Sequence, residues 1–222
     1  CFLWEKGGRV WPAEPGVIPA QPLVDISDEV GNWGSHGLVA FALDPDYPSN
    51  GHVYLFYVVD RHHYDAFGTP AYDPGHDEPY VDTIARITRY TVFDPSNHQT
   101  TVDPWSRTVL VGAAPPDAFP VCSDTHSVGA LVFGEDGTLL ATFGDSSGAG
   151  SGDCLSDGLI RPAEDVSFWR AQLHDSLCGK LLRLDPATGD GVSTNPWFDP
   201  LRPRSARSRV WAMGLRNAQT RE

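Results

Sequence analysis

Asp124-Thr-His-Ser-Val-Gly-Ala-Leu-Val-Phe-Gly-Glu-Asp-Gly-Thr-Leu-Leu-Ala-Thr-Phe-Gly-Asp145 holds two apolar runs, Val128–Phe133 and Leu139–Phe143, on either side of Gly134-Glu135-Asp136-Gly137. An Asp-Gly between short apolar runs is a strong local signal for a β-hairpin. In an antiparallel pair, opposed positions add to a constant. A turn centred on Glu135-Asp136 makes that constant 271, which sets His126 opposite Asp145. A turn at Asp136-Gly137 moves the partner by two residues and keeps the side chains in reach. The open end of the hairpin is therefore expected to carry an imidazole beside a carboxylate. Such a pair suits a general base, because the ring titrates near neutrality while the anion fixes its tautomer and stabilises the imidazolium. The same two residues also read as plain strand ends in solvent, and hairpin geometry alone does not separate the readings.

Further strands flank this hairpin. Phe2–Trp11 reads as a hairpin turning at Gly7-Gly8, followed by a Pro-rich loop to Pro22 and a short strand, Leu23-Val-Asp-Ile-Ser. Gly37-Leu-Val-Ala-Phe-Ala-Leu is an apolar strand expected to be buried on both faces. After a turn rich in Asp, Pro, Asn and Gly comes the aromatic strand His52–Val58. Thr83–Phe93 alternates as an amphipathic strand, and Arg107-Thr-Val-Leu-Val-Gly is another. Between them, Asp60–Asp82 is a long polar insertion containing His62, His63 and His76. Insertions of this length are functional or poorly ordered. A metal site from these histidines matches no standard spacing; the other reading is a solvated or site-covering loop.

Downstream, Gly144-Asp-Ser-Ser-Gly-Ala-Gly-Ser-Gly-Asp is Gly-rich but lacks the Gly-Lys-Ser/Thr of a phosphate cradle. Pro162–Leu177 predicts a helix with Val166, Trp169, Leu173 and Leu177 on one face. Gly179-Lys-Leu-Leu-Arg-Leu-Asp predicts a strand and a tight turn. Asp185 and Asp190 there read as turn residues rather than calcium ligands. Repeated short antiparallel sheets with Asp/Gly turns suggest an all-β chain of β-propeller type, with a β-sandwich as the rival. At propeller blade lengths the chain holds at most about five blades, and fewer once its insertions are subtracted.

Composition narrows the function. The 222 residues carry a net charge of −13, which disfavours nucleic acid and anionic membranes and leaves room for a neutral or cationic small substrate. No apolar run reaches the length of a membrane span. The chain has neither initiator Met nor leader, which reads as a fragment or a processed form. The four cysteines (Cys1, Cys122, Cys154, Cys178) lack zinc-ligand spacing. A disulfide among the last three and free buried thiols both remain open.

Four segments in order resemble the soluble quinoprotein glucose/sorbosone dehydrogenases. They are Gly37-Leu-Val-Ala-Phe-Ala-Leu-Asp-Pro-Asp-Tyr, the His126–Asp145 hairpin, Gly179-Lys-Leu-Leu-Arg-Leu-Asp with Asn195-Pro196, and Trp211-Ala-Met-Gly-Leu-Arg-Asn. The resemblance spans most of the chain. It implies a single domain over residues 1–222: the N-terminal part of a six-bladed propeller, about four blades with one inserted helix. It further implies pyrroloquinoline quinone and calcium in a mouth at one end, a sugar substrate, an external electron acceptor and a periplasmic or secreted location. His126 falls on the family's catalytic base, Asp145 on its supporting carboxylate, and Arg216 and Asn217 on the pair that contacts the quinone.

Ser35 stands where the family usually has an acid or amide, Val128 replaces the first glycine of the His motif, and Ala218 replaces a proline. The later blades with the calcium ligands are not in the sequence, so the isolated chain is expected to be poorly stable and inactive. Hedgehog-interacting proteins resemble the same family and supply the alternative, a non-catalytic binding propeller. A propeller lactonase with axial calcium would need converging carboxylates or amides, and no obvious set is present.

Overall fold

A computed structural model describes residues 1–14, 16–17, 19–97, 100–148, 154 and 158–218. The strands form three antiparallel sheets. The first contains β1 (Phe2–Trp4), β2 (Arg9–Pro12) and β3 (Val24–Asp25), in that order. The second contains β4 (Leu38–Leu43), β5 (His52–Val58), β6 (Thr83–Val92) and β7 (Val102–Val111), with β8 (Phe119–Val121) also paired to β6. The third contains β9 (Gly129–Phe133), β10 (Leu139–Phe143), β11 (Lys180–Leu184) and β12 (Val210–Met213). Within each sheet, strands hydrogen-bond to their sequence neighbours, the meander of propeller blades, except β8, which pairs with β6. Three sheets are found among the described residues, where the resemblance implied about four blades.

The sheets stack face to face through two apolar clusters. Phe56, Phe119 and Phe143 meet between the second and third sheets, with ring centroids 4.8–5.4 Å apart. Val10, Leu23, Leu38, Leu55 and Tyr57 fill the space between the first and second. These contacts overturn two expectations from pattern. β6 is buried on both faces along most of its length, because it is central in its sheet and packed on either side. β4, a sheet edge, has the mixed burial of a strand covered on one face.

The Pro162–Leu177 helix is also corrected. The segment forms two short 3₁₀ turns, Pro162–Glu164 and Ser167–Gln172, separated by Asp165 and Val166, and the second opens on a left-handed Ser167 at φ 50°. With three residues per turn, the apolar stripe drawn for 3.6 does not assemble. Trp169 and Phe168 face solvent, whereas Arg170 is fully buried.

Register fixes which loops share an end. β9 descends from Gly129, paired with Phe143 at the close of β10, and Phe143 also pairs with Lys180 at the start of β11. Leu38 at the start of β4 pairs with Tyr57 near the close of β5. The Ser35 amide donates to Asp124 O at 2.6 Å, joining the entrances of β4 and β9. The entrance loops 33–37 and 122–128, the insertion 60–82, the described residues of the segment 144–179 and the exit 214–218 therefore all stand on one rim.

Candidate active site

The hairpin turns as expected but closes one residue differently. Leu139 pairs with Phe133 and Phe143 with Gly129, so opposed positions add to 272 rather than 271. The Gly134 amide donates to Thr138 O at 2.9 Å, and Gly137 takes φ 77°, giving a three-residue loop with its last residue left-handed. A one-residue slip in a regular ladder would send His126 and Asp145 to opposite faces. They meet because both lie beyond the ladder. His126 and Ser146 adopt φ 57° and 49°, each costing about 1–3 kcal/mol, and strain of this kind gathers at functional sites.

The two chain ends are clamped together. The Ser146 amide donates to His126 O at 3.2 Å, and the Asp145 amide donates to Arg216 O at 2.9 Å. Gly144 permits this approach, since a Cβ there would lie 2.0 Å from His126 O and 3.0 Å from Arg216 O. The segment after β12 thereby reaches the His126 ring.

His126 Nδ1 lies 3.1 Å from Asp145 Oδ1. The Asp145 side chain is 1% exposed and the His126 side chain 20%. Asp145 Oδ1 also accepts from Ser147 N at 3.1 Å and Ser147 Oγ at 2.8 Å, while Oδ2 is buried without a partner. A buried carboxylate held this way accepts from Nδ1–H, which leaves the lone pair on Nε2. Arg216 Nη1 is 2.9 Å from Nε2 and 3.1 Å from Nδ1. A guanidinium only donates, so its hydrogen bond goes to Nε2. The triad thus presents an oriented, accepting imidazole nitrogen, aimed at an exposed cation that can move aside. Asn217 is exposed beside Arg216.

Residues not apparent in the sequence reading build the floor of this site. The buried Arg170 donates from Nη1 to Asp145 O at 2.8 Å and Ser146 O at 3.0 Å, and from Nε to Glu164 O at 2.7 Å. Lys180 Nζ donates to Arg170 O, Ala171 O and Cys178 O at 3.1, 2.9 and 2.7 Å, and burial pushes its pKa down to about 8. Cys122 and Cys154 form a disulfide against the Arg170 guanidinium, leaving Cys178 a buried thiol. Lys180 carried a signal within its Gly-Lys motif; Arg170 carried none.

A cavity of about 1180 Å³ lies elsewhere, between β3 and β6–β7. Its charges satisfy one another: Glu29 accepts from Tyr57 Oη at 2.7 Å, Arg86 at 2.5 Å and Arg107 at 2.7 Å. That network braces the first two sheets and occupies the Glu29, Arg86 and Arg107 charges, so the rim site, with its oriented and partly exposed imidazole, is the better candidate.

The rim offers donors for an anionic, oxygen-rich planar group. Arg216 and Asn217 are exposed there, and the buried Trp33 Nε1 in the β4 entrance has no partner. Calcium does not fit the described residues beside His126. It takes six to eight oxygen ligands, and next to His126 Asp145 offers one free carboxylate oxygen.

The sequence profile of the glucose/sorbosone dehydrogenase family matches residues 1–222. The chain is 25% identical over 229 residues to the HIPL1 protein of Arabidopsis thaliana, covering 90% of the chain and 30% of that relative. It is 30% identical over 149 residues to the human Hedgehog-interacting protein, covering 65% of the chain and 18% of that protein. Among solved structures, a glucose dehydrogenase-type oxidoreductase from Thermus thermophilus shares the fold at TM-score 0.59 and 24% identity, over 97% of the chain and 48% of that structure. The soluble aldose sugar dehydrogenase of Escherichia coli, in its apo form, does so at TM-score 0.57 and 20% identity, with the same coverage. The chain spans less than a third of these curated relatives and about half of these solved structures. With its mostly β architecture, and with the profile matched from end to end, the chain belongs to the glucose/sorbosone dehydrogenase family.

Proposed function

We propose that the chain carries the proton-handling part of a quinone-dependent sugar dehydrogenase, with an aldose or related sugar alcohol as substrate. The observation that carries this reading is the His126 ring held by Asp145 through Nδ1 with Nε2 left as an acceptor. Pyrroloquinoline quinone, when bound, supplies an acceptor for two electrons and the carbon-bound hydrogen. His126 Nε2 removes the substrate hydroxyl proton once Arg216 has swung off that nitrogen. Asp145 keeps the ring in its accepting tautomer and stabilises the imidazolium. Arg216 and Asn217 would hold the cofactor by hydrogen bonds, and the Arg216 guanidinium would offset negative charge on it. The buried Arg170 and Lys180 keep the 144–147 strap in place and touch neither reactant. The electrons such a cofactor takes up would require an external acceptor. The Cys122–Cys154 disulfide supports an oxidising, periplasmic or secreted location.

The test is dye reduction over a panel of sugars by the full-length protein supplied with the quinone and calcium, repeated with His126→Ala. Sugar-dependent turnover that His126→Ala abolishes is the expected result. Unchanged turnover in that variant removes His126 from the mechanism.

A second reading is a binding propeller, favoured by Arg216 filling the Nε2 acceptor position and by the Hedgehog-interacting and HIPL1 relatives. It predicts no turnover with any sugar and no effect of His126→Ala on partner binding.

A further inference from the structure

The 60–82 insertion carries three of the chain's eight histidines on the same rim as His126. Asp60 gathers it. One carboxylate oxygen caps the Arg61–Ala66 helix by accepting from His63 N at 3.0 Å, and the other accepts from Glu78 N at 3.1 Å. Residues 76–78 are thereby drawn back over the first helical turn.

The three histidines then separate. His63 turns inward: its Nδ1 lies 3.0 Å from Asp28 O and 2.9 Å from Tyr72 Oη, and its ring stacks on Phe67 at 4.5 Å. His62 instead stacks on Tyr72 at 5.7 Å and meets His76 edge-on at 4.6 Å. His76 Nε2 is 3.9 Å from Glu78 Oε1, and one ligand atom from each of His62, His76 and Glu78 lies within 4.8 Å of the others. Donors about 2.0–2.2 Å from a tetrahedral ion stand roughly 3.3–3.5 Å apart, so about 1 Å of closure by partly exposed side chains completes the set. The three histidines weighed from the sequence, which matched no standard metal spacing, are therefore regrouped: His63 turns away and Glu78 joins His62 and His76.

We infer that His62, His76 and Glu78 form a binding site for a divalent transition-metal ion of the zinc class, with a fourth position open to water. Two imidazoles with one carboxylate are borderline donors, unlike the all-oxygen sets of calcium and magnesium or the sulfur sets of copper(I). The surrounding charge of −13 favours a cation. Binding must also change one hydrogen bond. His62 Nε2 accepts from Asp73 N at 3.0 Å. A neutral imidazole has one lone pair; once the metal takes it, the other nitrogen carries the proton, so the Asp73 amide loses its acceptor whichever nitrogen ligates.

Zinc titrated calorimetrically into the metal-stripped, full-length protein, with millimolar calcium present, tests the site. The expected result is one zinc ion per chain, a raised melting temperature, and a shifted Asp73 amide resonance. Affinity should fall at least about tenfold in His76→Ala and in Glu78→Gln, and hold in His174→Ala. Absence of one-to-one binding, displacement by calcium, or unchanged affinity in either ligand variant overturns the proposal. None of these readouts depends on sugar oxidation, so the result is separable from the dehydrogenase reading.

Discussion

Two histidines stand at blade entrances on the same rim, and their surroundings give them opposite character. His36, ahead of β4, is 2% exposed; its Nε2 donates to Ser123 O at 3.0 Å and its Nδ1 is buried without a partner. Burial pushes its pKa below the ordinary value, and Lys6 adds to the effect while Asp124 opposes it. His126, ahead of β9, keeps part of its ring in reach of solvent and has a buried carboxylate on one nitrogen. A histidine at a blade mouth thus becomes a candidate base when the end of the adjoining strand brings it an acid and leaves its second nitrogen accessible. Where the loop packs over the ring, the histidine becomes part of the wall.

This contrast can be broken most directly at His126. His126→Ala should lower sugar-dependent dye reduction by about 10²–10⁴-fold, far beyond what the modest drop in melting temperature from its left-handed backbone and lost Asp145 contact accounts for. An equal loss in His36→Gln would erase the distinction. Asp145→Asn comes next. It removes the tautomer-fixing anion and puts an amide N–H₂ where a buried oxygen has no partner, so turnover should fall and stability should drop by about 1–3 kcal/mol, read by denaturant titration. Retention of full turnover would reduce Asp145 to a structural group.

Gly144→Ala probes the clamp rather than the chemistry. The added methyl meets the His126 and Arg216 carbonyls, so a loss of about 1–3 kcal/mol is expected, with melting as the readout. The smallest effect is in pH dependence. With a folded-state pKa below its unfolded value near 6.5, His36 takes up its proton more readily in the unfolded chain, so stability declines as pH falls below about 6.5. Thermal midpoints measured between pH 7.5 and 5 should decline less in His36→Gln; an identical decline assigns the acid sensitivity to other groups.

Strand order, the Asp-Gly turn, and the nearness of His126 to Asp145 were legible because they depend on local propensity and on order along the chain, whereas Arg216 was placed beside them only by the family resemblance. Several details were not. The apolar spacing of residues 162–177 suited an α-helix, yet Ser167 turns left-handed and Arg170 is claimed by the 144–147 carbonyls. A buried arginine serving backbone oxygens has no sequence period. The same holds for the pairing of Cys122 with Cys154 among three available thiols.

The sequence alone determined that His126 and Asp145 end adjoining strands of one hairpin, since alternating apolar runs around a turn admit few registers. The tertiary structure decided how they face each other. The ladder closes on 272, a slip that would part them in a continued sheet, and the left-handed His126 with the Arg216 carbonyl on the Asp145 amide reunites them. Pairing is written in short-range pattern, whereas the direction of a side chain beyond a strand's end depends on which distant backbone satisfies its hydrogen bonds.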